Sequence, residues 1–143
     1  LQASIGVAQM EKLNDFITKR KYNWKKINKY ICSRDNFFIP HQATENSDPS
    51  WFGYAITLRD NLAFKRDDLI KYLNENRIDT RLMFGGNLIK QPAYKNKKYI
   101  VNNNLINADK VMNDTFWIGV YPGITDDMIQ YVEEKFDDFL SNY

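Results

Sequence analysis

The hydrophobic period of this chain switches repeatedly between about 3.6 and 2, and the order of the switches leaves few folds open to it. Residues 3 to 32 carry the longest helical stripe: Met10, Leu13, Ile17, Trp24, Ile27 and Ile31, interrupted by Arg20. That spacing predicts one amphipathic helix, long against the roughly 11–12 residues of an average helix. Such a helix links lobes, packs along a larger body, or covers an ordinary core. Extended runs follow. Phe37-Phe-Ile-Pro40 reads as a short strand, 41–50 as a polar loop, and 51–58, rich in aromatic and branched residues, as a central strand. A helix over 67–76 turns Leu69, Ile70 and Leu73 inward, and a strand over 79–84 follows it. Residues 94–106 read as an exposed loop, Asn107 as the cap of a short helix through Met112, and 116–120 as a strand closed by Tyr121-Pro-Gly123. Thr125 caps a last helix whose inner stripe is Met128, Val132, Phe136, Phe139 and Leu140. A helix followed by alternating strands and helices gives an α/β or α+β lobe, with a sheet of three or four strands covered by helices.

Size and composition bound the function. The 143 residues fit one domain. A chain of this length buries roughly 68–70% of its unfolded surface and needs no staple. The net charge is +2 with basic residues dispersed, so nothing calls for nucleic acid, and no aromatic–glycine RNA-binding motif is present. No secretory leader and no apolar run of about 18 residues stand out, so no membrane insertion is expected. Cys32 is the single cysteine, which fits a reducing compartment; a cytoplasmic location is expected. The chain opens at Leu1 inside a helical pattern, so a fragment lacking an upstream part is expected.

One segment stands out chemically. Thr80 to Tyr94 runs from an extended apolar stretch through Arg81 into Gly85-Gly86, then Asn87, Lys90, Gln91 and an aromatic. Paired glycines allow positive φ and close backbone approach. The arginine fork suits carboxylate or phosphate. The pattern suits a ligand-facing loop at a strand end, and a plain tight turn with Arg81 in a salt bridge remains the alternative. The P-loop lysine and hydroxyl residue do not follow. Cys32 and His41 lie outside metal-ligand spacing, and Cys32 reads as a buried structural residue. Asp67-Asp68 and Asp126-Asp127 read as helix-start charges and Asp137-Asp138 as a solvated face. Trp51, Phe52, Phe116 and Trp117 read as core or interface. No catalytic set is complete.

Leu1-Gln-Ala-Ser-Ile-Gly-Val-Ala-Gln-Met-Glu-Lys-Leu13, with Phe16-Ile17 and Lys19-Arg-Lys21, resembles the segment that opens the C-terminal lobe in the DegT/DnrJ/EryC1/StrS family of sugar aminotransferases and dehydrases. Asp48-Pro-Ser-Trp-Phe-Gly53, Thr80-Arg-Leu-Met-Phe-Gly-Gly-Asn-Leu88, Gln91-Pro-Ala-Tyr94 and Met112-Asn-Asp-Thr-Phe-Trp-Ile-Gly-Val-Tyr-Pro-Gly123 narrow the resemblance. They are similar to the RfbH-type subgroup of lipopolysaccharide biosynthesis, the CDP-4-keto-6-deoxyglucose 3-dehydrases.

The resemblance implies the small C-terminal lobe of a fold-type I, pyridoxal-phosphate-type transferase, a homodimer with sites between lobes. In the subgroup the coenzyme is pyridoxamine phosphate, a histidine replaces the aminotransferase lysine, and an iron–sulfur cluster works with a reductase partner. None of the coenzyme segments, the catalytic lysine or histidine, or the cysteine cluster has a match in residues 1–143, so this lobe is expected to be inactive alone. The resemblance assigns it a wall of a nucleotide-sugar site: Arg81, Phe84, Gly85, Gly86 and Asn87. Arg81 and Asn87 are expected to hydrogen-bond the nucleotide sugar, and Phe84 to pack on it. A sugar aminotransferase of the same family and a free-standing binding module are the alternatives. Lys65 stands where a capping serine is expected.

Overall fold

The computed structural model describes residues 2–143. Four strands form one antiparallel sheet in the order β1 (Phe38–Ile39), β2 (Gly53–Leu58), β4 (Thr115–Gly119), β3 (Thr80–Leu82). Five α-helices accompany it: α1 (Gln2–Met10), α2 (Leu13–Cys32), α3 (Arg66–Glu75), α4 (Ile106–Asp114) and α5 (Asp126–Leu140). β2 and β3 both run antiparallel to β4 and hence parallel to each other, so β2–α3–β3 is a split βαβ unit with β4 inserted.

Strand alternation sorts the sheet into two faces. Tyr54, Ile56 and Leu58 of β2 and Phe116 and Ile118 of β4 point to one face and are buried. Ile27 and Ile31 of α2, Leu69 and Leu73 of α3, and Phe136 and Phe139 of α5 complete the core. The register places Tyr54 opposite Ile118 and Ile56 opposite Phe116, so large apolar side chains meet across the ladder. The other face carries Gly53, Ala55 and Thr57, the row-mates of Gly119, Trp117 and Thr115.

The expected helix over 3–32 divides at Glu11–Lys12 into α1 and α2. No residue of α1 is buried, and Met10 and Leu13 are exposed. Only the α2 part of the stripe finds a partner, and tertiary packing supplies most of a helix's stability. Within α2 the buried Asn23 donates to the carbonyls of Tyr121 (2.9 Å) and Ile124 (3.3 Å), latching the β4–α5 turn.

Other boundaries shift for local reasons. α4 starts at Ile106, behind Leu105 in the left-handed region (φ 52°), so Asn107 lies inside the helix and does not cap it. Thr125 does cap α5, its Oγ1 accepting from the Met128 N–H at 3.3 Å. Met128 itself is exposed, and Ile129 takes its inward place. At α3 the Lys65 side chain makes no cap; Asp68 accepts the Lys65 N–H at 2.9 Å, which is the reciprocal half of a capping box.

Two further expectations change. Cys32 is exposed at the end of α2. Asp137 is held by both arms of Arg34 and by the Tyr30 hydroxyl at 2.7 Å, tying α2 to α5. The Tyr30 phenol is pushed up by burial first and by the Asp137 carboxylate second. Asp126 pairs with Lys26 at 2.7 Å. These carboxylates are structural ties between helices. Among the described residues no three His, Cys, Asp or Glu side chains converge on a metal site, and no helix is long and apolar enough to cross a membrane.

Candidate functional site

The loop after β3 is built from tight backbone turns. The Phe84 N–H donates to the Leu82 carbonyl at 2.9 Å and the Gly86 N–H to the Met83 carbonyl at 3.1 Å. Gly86 has φ +57° and lies against α4, where an added Cβ would come within 2.5 Å of Met112 Cβ. Glycine is therefore required there by conformation and by space.

Polar side chains of the segment then fasten it. The carboxamide of the buried Asn87 donates to Asp109 of α4 at 2.7 Å, and Lys90 pairs with the same carboxylate at 2.7 Å. The Lys90 hydrogen bond first, and that from Asn87 second, hold the Asp109 carboxyl below its usual range. Gln91 donates to the Gly85 carbonyl at 2.6 Å. Asn87, Lys90 and Gln91, ligand-facing by sequence, thus have their side chains engaged in shaping the loop.

The fastened loop presents Phe84. The residue is 89% exposed and its φ is +46°, an unusual conformation for a bulky side chain. Met83 and Phe84 form one wall of a cleft of about 230 Å³ on the sheet face opposite the core, whose other walls are His41, Trp51, Phe52, Gly53, Ala55 and Trp117. Gly53 is needed for this floor: the Trp117 indole lies over the strand where a Cβ at position 53 would be. Phe52 meets that indole edge to face at 5.3 Å, and His41 meets Trp51 at 4.6 Å. Trp24 stacks behind Trp51 at 6.3 Å. Burial lowers the His41 pKa, which keeps the imidazole neutral near pH 7.

Arg81 stands beside the cleft. The ladder puts it opposite Trp117, which is opposite Ala55, so the three form one row on the face opposite the core. Its guanidinium pairs with Asp79 at 2.9 Å with both side chains well exposed. Exposed pairs contribute roughly 0–1 kcal/mol, so this one is readily exchanged for an anionic ligand. Arg81 and Trp117 also line a groove of about 700 Å³ that wraps the β3 end of the sheet, with Arg77, Asp127 and an apolar floor including Ile118 and Ile129.

Of the sequence-derived candidates, Arg81 and Phe84 therefore reach solvent, while Gly85, Gly86 and Asn87 build the turn that follows them. Trp51, Phe52 and Trp117 were assigned to core or interface; they line the cleft, and only Phe116 of that group is core. Strand alternation holds the missing signal: with Phe116 inward, Trp117 must face outward.

Residues 1–137 match the sequence pattern of the DegT/DnrJ/EryC1/StrS aminotransferase family. The chain belongs to that family. It is 46% identical over 140 residues to the lipopolysaccharide biosynthesis protein RfbH of Salmonella typhimurium, an alignment covering 98% of this chain and 32% of that protein. It is 41% identical to a dTDP-4-dehydro-2,6-dideoxy-D-glucose 3-dehydratase of Saccharopolyspora spinosa, over 99% of this chain and 30% of that one. The E. coli GDP-4-keto-6-deoxy-D-mannose-3-dehydratase, solved with bound hydrated PLP, is 27% identical and overlays with a TM-score of 0.80, covering 92% of this chain and 33% of that structure. The chain thus spans about a third of the proteins it matches. Its fold is the small-lobe fold of pyridoxal-phosphate-dependent sugar enzymes.

The cleft does not fit that coenzyme by itself. Its lining offers no lysine amine and no set of convergent phosphate donors. No step through the coenzyme is assigned to the residues of this chain.

Proposed function

We propose that residues 1–143 are the C-terminal lobe of a pyridoxal-phosphate-family enzyme that removes the C3 hydroxyl from a nucleotide-linked 4-keto-6-deoxyhexose in lipopolysaccharide deoxysugar synthesis. The observation that carries this reading is the fastened loop presenting Phe84 at the aromatic cleft, with Arg81 on the preceding strand opposite Trp117, in a chain 46% identical to RfbH over nearly its whole length. The lobe supplies one wall of the substrate site. Arg81 engages the diphosphate and Phe84 packs on the sugar. Asn87 holds the loop through Asp109 and reaches the ligand only through its backbone. The coenzyme, the catalytic lysine or histidine and any iron–sulfur cluster belong to a large domain outside these residues, as do the contacts of a homodimer and of a reductase partner. A CDP-linked sugar is the proposed substrate. Sugar amination is the reaction that product analysis must distinguish from dehydration.

Two measurements test the reading. Purified 1–143 should show no dehydration of a CDP-4-keto-6-deoxyhexose, and turnover by it would place the chemistry in this lobe. In the complete protein, Arg81→Ala removes a charge-assisted hydrogen bond of about 1.5–3 kcal/mol, which raises the substrate constant roughly 10- to 150-fold. An unchanged constant would take Arg81 out of the site.

A further inference from the structure

The cleft beside Arg81 has a chemistry of its own. Its lining is aromatic and aliphatic, with the neutral His41 imidazole as the single titratable side chain. Such a lining disfavours any ligand edge rich in donors and acceptors, since a buried polar group without a partner is costly. A nucleobase edge is of that kind. The C–H face of a sugar bearing a methyl group is not.

Position adds a second constraint. Arg81 lies directly opposite Trp117 across the β3–β4 ladder, and paired side chains there start about 4.5–5.5 Å apart. Trp117 borders both the groove that Arg81 lines and the cleft, so a diphosphate held by Arg81 sets the attached pyranose beside Trp117, within reach of the cleft. In a hexopyranose the diphosphate carbon C1 and the methyl-bearing carbon C5 are both bonded to the ring oxygen. Two ring edges meet at C1, and of these the C1–O–C5 edge carries the apolar C6 methyl while C2 carries a hydroxyl, so the apolar lining suits the edge with C6. C3 lies across the ring from that oxygen and points away from this lobe. A wall that grips the C1–O–C5 edge leaves the reacting C3–C4 edge free for groups elsewhere, which suits a lobe without a catalytic set.

Resting on the substrate reading above, we infer that the cleft formed by Phe52, Ala55, Met83, Phe84 and Trp117 is the C6-methyl subsite, the element that selects a 6-deoxyhexose over its 6-hydroxy counterpart. Phe84 is its outer lip. The left-handed backbone at Phe84 and the ties from Asn87, Lys90 and Gln91 fix this residue at the rim of the cleft, so the loop's polar residues serve selectivity by fixing an apolar one.

The test uses the complete protein and two ligands that differ at one atom: CDP-6-deoxyglucose and CDP-glucose, neither of which carries the 4-keto group. Their dissociation constants are measured for wild type, Phe84→Ala, Phe52→Ser and Ala55→Ser. An apolar pocket rejects an added hydroxyl by up to about 100-fold, so wild type should favour the 6-deoxy ligand by roughly 10- to 100-fold. Phe84→Ala and Phe52→Ser should bring the ratio to about 3 or less, and Ala55→Ser should tighten CDP-glucose specifically, an effect that a merely structural role would not produce. Phe84 and Phe52 are both exposed, so their replacement leaves the core intact, which a melting curve checks. Equal wild-type affinity for the two ligands, or an unchanged ratio in both phenylalanine variants, overturns the methyl subsite and leaves the substrate wall standing. Binding of neither ligand by wild type overturns the substrate reading itself.

Discussion

The two faces of this sheet are made from the same strands, residue by residue, yet they have opposite fates. Phe116 and Trp117 are neighbours on β4. Phe116 is fully buried in the core beneath α2, α3 and α5, while Trp117 is half-buried over Gly53 on the opposite side. The inner face is filled by branched and aromatic side chains meeting across the ladder. The outer face keeps small residues in β2, Gly53, Ala55 and Thr57, and lets Trp117, Phe52 and Phe84 stand around the space left over. Closure of a core needs large residues on both partners of a row; a cleft needs large residues on one partner and small ones on the other.

The largest expected effect separates the faces by stability. Phe116→Ala should cost about 3–5 kcal/mol in a urea melt, because it empties a fully enclosed site. Trp117→Ala should cost clearly less, since the indole already meets solvent, while removing the cleft floor and the preference for a 6-deoxy ligand. Equal losses at the two positions would mean that the outer face is a second core, and the comparison would fail.

How far the chain reveals these faces depends on which force sets each feature. Strand and helix order, a sheet of three or four strands, the Thr125 cap and the loop at Gly85-Gly86 were legible, because period and capping chemistry are local. The break at Glu11–Lys12 was not, because the stripe through Met10 and Leu13 looks the same whether or not anything packs on it. The same limit hid the roles of Asn87 and Lys90. Their types announce hydrogen bonding, but that both bind Asp109, some twenty positions on, is a tertiary fact. Trp51, Phe52, Phe116 and Trp117 were read together as core or interface; only Phe116 is core, since residue type alone cannot separate the lining of a cleft from the filling of a core.

A mid-sized effect sharpens the comparison at its glycines. Gly53→Ala pushes a methyl into the Trp117 indole, and overpacking of this kind typically costs about 1–3 kcal/mol. Gly86→Ala meets Met112 and also places a Cβ at φ +57°, where left-handed backbone adds about 1–2 kcal/mol. Gly119 differs: a Cβ there meets nothing within 4 Å, so Gly119→Ala should be close to neutral. Thermal melts of the three variants should rank Gly119→Ala above the other two. A neutral Gly53→Ala would show that the indole is free to leave the strand and that the cleft floor is not fixed.

The smallest effect is a pH dependence carried by the outer face. Burial between Trp51, Trp24 and Tyr54 disfavours the charged imidazole of His41, so its pKa lies below the usual 6.5 in the folded state. The unfolded chain then binds the proton first as the solution is acidified. Stability is complete above about pH 6.5, declines as pH falls below it, and levels off once the folded-state value is passed. The Asp109 carboxylate acts in the same direction in a separate window below its ordinary 3.8, so the two contributions resolve along the pH axis. Urea melts between pH 7 and 5 should show the slope in wild type and lose it in His41→Gln, while Phe116→Ala keeps it despite its lower stability. A slope that survives His41→Gln would mean that the imidazole is as well hydrated in the folded lobe as in the unfolded chain, and that the cleft is an open surface and not a dry one.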